Sequence, residues 1–378
     1  MVSGSNNGNG QSILDTYKAI ERLERCTRSE IAADAGRSVV TVCKNIDTLL
    51  QNNLIIEEKD KSSTLGRKAS TLRIHAEART ILILDITKRR FSSRLINLKN
   101  SDIAKKVKHE YDDGKPIADN LVDFFKTSKD QFWSDTQRRD CCIGVGVIVP
   151  GPYIDTADKI INNRLPELST IPIKRLVESI FPDKAVLIEE DVKLAGLYSA
   201  ALSGDKPAKL TFYAYIDEGV GGSIIKDGAI DFGSHSFAGD FGQMCLSSGR
   251  TVEQEISVAS FRQRLGLPGA GAASTEELLS QIDYTNPRVL AVCQEIESFT
   301  ALALYNVCWL VDPYYIIIES IYCTFIPNFV DHVVGQIESL LQQSRGGLQP
   351  QVLSSNSAVQ YAYKGAASIL LNRYLSLC

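Results

Sequence analysis

TRSEIAADAGRSVVTV, residues 27–42, is the stretch that decides the fold of the first part of the chain. Thr27 and Glu30 have the spacing of a capping box, in which each side chain accepts a hydrogen bond from the backbone N–H of the other residue. Gly36 is placed to end this short helix in a left-handed conformation, and Ser38 is placed to cap the helix that follows. The sequence therefore predicts two helices joined by a tight turn.

The spacing of Ala32, Gly36 and Val42 is that of a helix-turn-helix motif, because a small residue lets the helices approach and the valine packs between them. In the second helix one apolar stripe is predicted to be buried: Val39, Val42, Cys43, Ile46, Leu49 and Leu50. The opposite face carries small, polar and basic side chains: Val40, Thr41, Lys44, Asn45 and Thr48. Such side chains can meet base edges and phosphates, so this face is predicted to enter a groove of duplex DNA.

A further helix is predicted ahead of this motif. Ser12 and Asp15 are placed to cap it. Its apolar face would hold Ile13, Leu14, Tyr17, Ile20 and Leu23. The three helices together fit a DNA-binding fold, and a three-helix bundle that only docks on the rest of the protein is the alternative.

A hairpin is predicted after the motif, from the strand-like residues 54–58 and 69–74. It would form a wing with Arg67 and Lys68 near its tip. Residues 61–73 hold four basic residues and no acid, whereas the whole chain has a net charge of −4. A polyanion could bind to this local basic patch, and a solvated loop is the alternative.

Length and composition limit the other possibilities. A chain of 378 residues is long enough for two or three folded units. Residues 1–75 carry 11 Lys and Arg against 9 Asp and Glu, whereas residues 76–378 carry 30 against 36. The sequence has neither a signal peptide nor an apolar run of about eighteen residues, so we expect a cytoplasmic protein with no membrane partner. Nine scattered cysteines without a Cys-x-x-Cys pair are expected to be reduced thiols.

Strand-like and helix-like segments alternate from Arg79 onward, which predicts an α/β fold. The predicted strands are residues 80–87, 94–98, 143–149, 185–189, 210–216 and 314–319. The predicted helices are residues 117–133, 173–181, 192–202, 252–265, 287–311, 326–343 and 358–377. Glycines follow two strands, at residues 149–152 and 218–222, where backbone N–H groups could hold phosphate or sugar hydroxyls. For residues 219–222 a tight hairpin turn is an equally good interpretation.

Taken together, these features resemble the ROK family, which groups bacterial sugar-responsive repressors of the xylose and N-acetylglucosamine type with sugar kinases. Its winged DNA-binding domain is matched by RSEIA (28–32), SVVTV (38–42), LLQNNLI (49–55) and GR (66–67). Its body is matched by IGVGVIVPGP (143–152), IEED (188–191), GVGG (219–222), AGDFGQM (238–244), DP (312–313) and GAA (365–367). The resemblance implies a winged helix-turn-helix, mainly α, followed by an α/β, two-lobed, actin-like (ribonuclease H-like) body with a sugar cleft.

The sequence departs from the family's kinases in the nucleotide-binding loop and beside the catalytic base. The family's Asp-x-Gly-Gly-Thr phosphate loop is matched by Asp85-Ile-Thr-Lys-Arg-Arg90, whose bulky side chains replace the backbone cradle that ATP phosphates need. Its catalytic Asp, which follows an Asn, falls on Asp191, but Glu190 stands at the Asn position. We therefore expect no phosphoryl transfer and no catalytic residue.

Two further departures concern the metal. The family's Glu-x-x-His segment reads Asp240-x-x-Gln243, and its Cys-rich zinc loop is replaced by residues 246–252. Because that histidine and those cysteines are missing, a structural zinc would lack its soft ligands. We expect neither a metal nor a cofactor.

The resemblance assigns a set of effector-binding residues: Gly151, Asn163, Glu190, Asp191, Asp240, Gln243 and Glu253. Asp191 and Asp240 would accept hydrogen bonds from sugar hydroxyls, and Gly151 would let the ring approach. As the alternative, Glu190 and Asp191 cap the helix that begins near residue 192, and Asp240 closes a turn after Gly239. The number of acids hints at a basic ligand such as an amino sugar.

The residues predicted to contact DNA are Arg28, Ser38, Val40, Thr41, Lys44, Asn45, Thr48, Arg67 and Lys68. The predicted division is residues 1–75 for DNA binding, 76–190 with about 358–378 for the first lobe, and 191–357 for the second lobe, effector cleft and dimerisation. These features predict a sugar-controlled repressor of carbohydrate metabolism genes that binds a two-fold operator as a homodimer or homotetramer. A sugar kinase with a DNA-binding arm and a scaffold that binds proteins through its helix-turn-helix are the alternatives.

Overall fold

The computed structural model describes residues 7–59, 70–87, 90–162, 165–202, 209–246, 249–267, 274–342, 344–355 and 358–378. The chain forms two compact units: the first comprises residues 1–150, 155–189 and 366–378, and the second comprises 151–154 and 190–365. An amino-terminal helical region is followed by an α/β body with two large sheets, as predicted. In the ranges given above, none of the helices is both long and apolar enough to cross a membrane.

The helices and strands lie as follows. In chain order the helices are α1 (Asn7–Leu23), α2 (Arg28–Ala35), α3 (Val39–Gln51), α4 (Ile117–Trp133), α5 (Thr136–Cys141), α6 (Ile173–Ile180), α7 (Asp191–Leu202), α8 (Val252–Ile256), α9 (Val258–Leu265), α10 (Thr275–Ser280), α11 (Pro287–Val311), α12 (Tyr322–Phe325), α13 (Phe329–Gln342) and α14 (Ala358–Leu375). The strands are β1 (Ile55–Lys59), β2 (Ser70–Ile74), β3 (Thr80–Asp85), β4 (Arg90–Asn97), β5 (Val107–Glu110), β6 (Cys142–Val149), β7 (Tyr153–Ile154), β8 (Lys159–Ile160), β9 (Ala185–Glu190), β10 (Thr211–Ile216), β11 (Val220–Lys226), β12 (Ala229–Asp231), β13 (Tyr315–Ser320) and β14 (Gln351–Ser355).

The helix-turn-helix forms through the caps that its sequence predicts. The backbone N–H of Thr27 donates to Glu30 Oε2 at 2.7 Å, and the N–H of Glu30 donates to Thr27 Oγ1 at 3.4 Å, which completes the capping box of α2. Gly36 ends α2 with a φ of +61°, where a side chain would be strained. Ser38 Oγ then accepts the N–H of Thr41 and starts α3. Strands β1 and β2 follow as an antiparallel pair.

Helix α1 extends further toward the amino terminus than its sequence predicts. It spans Asn7–Leu23, so Ser12 lies within it and is not its cap. Ser12 is buried, and its carbonyl oxygen accepts a hydrogen bond from Thr16 Oγ1 at 2.9 Å. Gly10 sits close to the backbone of Ser376, where a Cβ would be 3.4 Å from the Ser376 Cα. Tertiary packing therefore outweighs the weak helix propensity of the Asn- and Gly-rich start.

The core of the amino-terminal helices continues into the body of the first unit. Buried apolar side chains of α1, α2, α3 and the β1–β2 hairpin form one cluster that also includes Ala78, Leu98, Leu371 and Leu375. Leu375 is fully buried although it lies at the end of α14. The last turns of α14 thus complete the core beneath the helix-turn-helix.

Each unit contains one five-stranded sheet, and the two sheets share one topology. The strand orders are β5-β4-β3-β6-β9 and β12-β11-β10-β13-β14. The central strand of each sheet pairs antiparallel with the next strand in the chain and parallel with a later one. In the first sheet β3 pairs with β4 and β6 in this way, and in the second sheet β10 pairs with β11 and β13. This duplicated arrangement confirms the predicted two-lobed, ribonuclease H-like α/β body.

A few predicted elements differ from the observed ones. The predicted helix 252–265 is broken at Ser257, because Ser257 Oγ accepts the N–H of Ser260 and caps a separate helix α9. The predicted helix 326–343 begins only at Phe329, after Asn328 with a φ of +57°. Strand β11 was missed because residues 219–222 read as a glycine-rich turn.

Candidate nucleic-acid interface and ligand site

The first turn of α3 projects two apolar side chains into solvent. Val40 is 68% exposed, as its predicted position requires. Val39 is 51% exposed, so the prediction that it joins the buried stripe is wrong. A residue at the first position of a helix packs only if a partner helix extends that far, which the sequence pattern does not show. Two adjacent valines at this place can contact thymine methyl groups in a major groove.

The rest of this face is polar, with one exception. Lys44 is exposed, and Thr41 and Thr48 are half-buried. Asn45 is only 3% exposed, so its predicted place on the DNA-facing side is wrong. Its Nδ2 lies 2.9 Å from the Ser12 carbonyl oxygen and 2.8 Å from Thr16 Oγ1, and joins α3 to α1. The spacing of three residues from Val42 was the signal that Asn45 shares the buried side.

Asn45→Ala is expected to lower the free energy of unfolding by about 1–3 kcal/mol, because the substitution removes the donor to the buried Ser12 Oγ and Thr16 Oγ1 of α1. Asp47→Ala, two residues further along α3 and exposed, is the matched control and should change stability little. Chemical denaturation of the two variants measures both values. Equal stability of Asn45→Ala and wild type would contradict a role in joining the helices.

Two other predicted DNA contacts already have partners within the protein. Arg28 Nη1 donates to Glu57 Oε1 at 2.7 Å and to Ser70 Oγ at 3.2 Å, and the bond to Glu57 raises the pKa of Arg28. Ser38 serves as the cap of α3. Arg28 therefore ties the helix-turn-helix to the hairpin. Arg67 and Lys68, at the predicted wing tip, lie outside the described residues.

The turn that corresponds to the family's phosphate loop is closed on itself. Asp85 Oδ1, at the end of β3, accepts hydrogen bonds from Thr87 N at 3.0 Å and from Thr87 Oγ1 at 2.7 Å. Ile86 is buried between them. Lys88 and Arg89 lie outside the described residues. The Asp85 carboxylate thus bonds to Thr87 within the turn. A kinase would instead offer glycine N–H groups to the ATP phosphates at this position.

Glu190 and Asp191 lie at the junction of β9 and α7. Asp191 is the first residue of α7, and its Oδ1 accepts the N–H of Val192 at 2.9 Å. Glu190 is 7% exposed and its carboxylate bonds to the ammonium of Lys193, which is fully buried. Burial raises the pKa of Glu190, and the charge of Lys193 opposes that rise. Sequence reasoning missed Lys193, although a lysine among apolar residues of a helix signals a buried partner.

The glycines of residues 219–222 make room for the loop that carries Asp240. Gly221 and Gly222 lie within β11, after a tight turn in which Asp217 N donates to Gly219 O. A Cβ on Gly222 would lie 2.7 Å from the carbonyl oxygen of Gly239. Only Gly219 lies in the turn, whereas the hairpin-turn interpretation placed all four residues there, and Gly222 serves close packing.

Asp240 is a half-buried acid of the candidate site with a raised pKa. Its pKa is raised to about 6, first by burial and then by the negative charge of Glu190. Glu253 also raises this pKa, and Glu253 Oε2 accepts the N–H of Val220 at 3.0 Å. Asp240, Glu190, Lys193 and Glu253 thus form one group of interacting charges in the second unit, the kind of arrangement found at ligand sites.

The remaining predicted effector residues are Gly151, Gln243 and Asn163. Gly151 has a φ of +140°, a backbone conformation that favours glycine. Gln243 is exposed, in a short turn after Asp240. Asn163 lies outside the described residues.

The raised pKa of Asp240 predicts a pH-dependent stability. Below about pH 4 both folded and unfolded chains hold this proton. As the pH rises to about 6, only the unfolded chain releases it readily, so the wild type loses stability relative to Asp240→Asn. The difference should reach up to about 3 kcal/mol and then level off. Unfolding of both proteins between pH 4 and pH 7 measures it, with the exposed Glu276→Gln as control. A difference that stays constant over this range would contradict the prediction.

The donor set for the family's zinc is absent from the corresponding segment. Residues 240–253 contain one cysteine, Cys245, and no histidine. Cys245 is exposed. Across the part of the chain that the structure describes, His, Cys, Asp and Glu side chains form no group of three or more suited to a metal ion. The residues present do not fit a structural zinc, which needs four nitrogen or sulfur ligands.

Known proteins resemble this chain over most of its length. The sequence signature of the ROK family matches residues 97–373. The xylose repressor of Bacillus spizizenii is 22% identical over 373 residues, which cover 95% of this chain and 94% of the repressor.

Solved structures give the same picture of the fold. A ROK family transcriptional regulator, described as a homologue of the E. coli MLC protein, superposes with a TM-score of 0.74 at 17% identity and covers 98% of this chain and 97% of its own. The ROK hexokinase of Thermus thermophilus superposes with a TM-score of 0.60 at 17% identity and covers 79% of this chain and 99% of its own.

Proposed function

The chain belongs to the ROK family, and from this membership we propose that it is a sugar-responsive, DNA-binding transcriptional repressor. The observation that carries the proposal is the capped helix-turn-helix whose second helix, α3, exposes Val39, Val40 and Lys44. Exposed valines and a lysine in the first two turns of α3 suit base edges and phosphates.

The family also includes kinases, and the turn after β3 supports a regulator over an enzyme. Asp85 bonds to Thr87, and bulky side chains stand where a phosphate loop needs glycine. The hexokinase structure covers 79% of this chain, whereas the regulator structure covers 98%. The coverage shows a fold shared with a sugar kinase, and the turn after β3 favours a protein that does not transfer phosphate.

The mode of DNA binding follows from the geometry of the motif. We assign residues 1–75 to DNA binding, with α3 in the major groove and the hairpin near the phosphates or the minor groove. A two-fold operator would be bound by a homodimer or homotetramer, formed through residues of the second lobe, 191–357. The protein would act in the cytoplasm, where its operator is.

The effector would bind at the charged group around Asp240 in the second unit. Asp240 and Asp191 would accept sugar hydroxyls, and Gly151 would admit the ring. Glu190 already bonds to Lys193, so it would tune the charge of the site more than touch the ligand. A cationic amino sugar should bind more tightly as the pH rises through about 6 and Asp240 ionises, whereas a neutral sugar should respond less, because it gains only a stronger hydrogen-bond acceptor.

The experiment is a titration of sugars into a complex of the purified protein with a genomic DNA fragment. Release of DNA by one sugar or amino sugar at concentrations that leave an unrelated DNA-binding protein bound would support the proposal. A coupled assay of ATP consumption with the same sugars runs in parallel. Brisk turnover of ATP would overturn the assignment as a regulator without enzymatic activity.

A further inference from the structure

The turn between Asp240 and Glu253 is held by charged side chains. Along it, Val252 N donates to Met244 O at 2.8 Å, and Leu246 N donates to Arg250 O at 2.9 Å. By resemblance, this is the position of the Cys-rich zinc loop in the ROK family. Since the donor set here does not fit zinc, something else must hold the turn in place.

A buried carboxylate lies at the centre of this region. Glu255, on α8, is 4% exposed, and its Oε1 lies 3.1 Å from Arg250 Nε. Its Oε2 bonds to Arg264 Nη2 at the end of α9. The term arginine clamp is used below for Arg250, Glu255 and Arg264. One carboxylate thus joins the turn, α8 and α9.

Both arginines also bond to the backbone of α8. Arg250 Nη2 donates to the carbonyl oxygen of Gln254 at 2.6 Å, and Arg264 Nη2 donates to that of Glu255 at 2.9 Å. Helix α8 has barely more than one turn, so its carbonyl groups need such donors. The clamp therefore fixes the short helix that carries Glu253.

The clamp is anchored to the long helix α11. Arg264 Nη1 donates to Glu295 Oε2 at 3.0 Å, and its guanidinium lies 5.8 Å from the centre of the Phe299 ring. Helix α11 packs in the centre of the second unit's core. The turn is thereby connected to the buried core of that unit.

We propose that the arginine clamp replaces zinc in this protein and positions Asp240 and Glu253, the two candidate ligand acids at the ends of the turn. The inference rests on the proposed function for the role of these acids. The clamp residues are positioning residues: Glu255 faces the arginines, whereas Glu253 on the same helix faces Val220 and the charged group.

The test is hydrogen exchange of the full chain, measured by mass spectrometry without DNA or sugar. In Glu255→Ala, peptides that cover residues 240–256 should exchange at least about tenfold faster than in wild type, because two arginines lose a buried partner. Peptides from α1 to α3 should be unchanged. Glu295→Gln, which removes an exposed partner of the same Arg264, should stay within about twofold of wild type.

The zinc alternative is tested on the same protein. Addition of EDTA or of zinc chloride to wild type should leave exchange in residues 240–256 unchanged. Bound zinc at about one per chain, with faster exchange in this segment after its removal, would overturn the proposal. Equal exchange in Glu255→Ala and wild type would also overturn the proposal.

Two features keep this test separate from the proposed function and from misfolding. Hydrogen exchange needs neither operator nor effector, so failure to find a DNA-releasing sugar leaves its result standing. If Glu255→Ala does not fold, Arg250→Gln removes the half-exposed arm of the clamp and should accelerate exchange in the same segment only. Once an effector is found, Glu255→Ala should bind it less tightly while its affinity for DNA without effector equals that of wild type.

Discussion

Val40→Asp is expected to reduce the affinity for duplex DNA by roughly 100-fold while the chain stays folded. Val40 is 68% exposed in the first turn of α3, where recognition helices reach base edges. A carboxylate there would lose contact with a thymine methyl group and would repel the phosphates. The same carboxylate favours the amino-terminal end of a helix, so stability should not fall.

A titration of labelled DNA at about 0.15 M salt measures the affinities, because the Debye length is then only about 8 Å. Gln131→Glu adds the same charge on an exposed position of α4 and is the matched control. Its affinity should be within about threefold of wild type, since charges beyond a Debye length are screened. If Val40→Asp binds as well as wild type, α3 does not enter a groove and the helix-turn-helix has another purpose, such as binding a protein.

Leu375→Ala is expected to have the largest effect on stability. Leu375 is fully buried at the end of α14 and belongs to the core of the amino-terminal helices. Removal of a buried leucine side chain costs about 2–5 kcal/mol, from lost burial and from the cavity it leaves. DNA binding should weaken with it, because α3 packs on the same core. Tyr374 adds to this support, since its hydroxyl accepts Arg79 Nε at 2.9 Å and Arg79 Nη2 donates to Asn52 O just after α3.

Leu377→Ala is the matched control for this effect. Leu377 lies two residues further on and is 86% exposed, so its truncation should change the free energy of unfolding by less than about 0.5 kcal/mol. Denaturant unfolding and DNA titration of the two variants give the comparison. Retention of full DNA affinity and stability in Leu375→Ala would show that the amino-terminal helices do not depend on α14.

Local features of the fold could be predicted from the sequence because they depend on residues close together in the chain. The capping box of Thr27 and Glu30 and the left-handed Gly36 need only a few neighbouring residues. The extent of α4 follows from the periodicity of its apolar residues, and the start of α11 is set by Asn286, whose side chain accepts the N–H of Arg288. Such signals do not depend on the partner against which a helix packs.

Features that arise from packing between distant segments could not be predicted. Val39 is exposed and Asn45 is buried, the reverse of what the sequence predicted, because Asn45 bonds to Ser12 and Thr16 of the distant helix α1. The shared core with Leu375 joins residues more than 300 positions apart. The glycines near residue 222 look like a ligand cradle until the Asp240 loop is seen against them.

The candidate ligand site could be predicted only in part. Resemblance pointed to Asp191, Asp240 and Glu253, and the structure brings Asp240 and Glu253 into one group of charges. Lys193 and the arginine clamp were not expected, because a family pattern shows which ligands are missing and does not show what replaces them.

The central claim is that an amino-terminal reader of duplex DNA is joined to a sugar-kinase scaffold that now serves regulation. The most direct measurement is selection of bound fragments from genomic DNA by the purified chain at low ionic strength, with Val40→Asp in parallel. The account predicts that wild type retains a few fragments with a two-fold sequence and that Val40→Asp retains none of them. Retention of no fragment by wild type, or of the same fragments by both proteins, would contradict it.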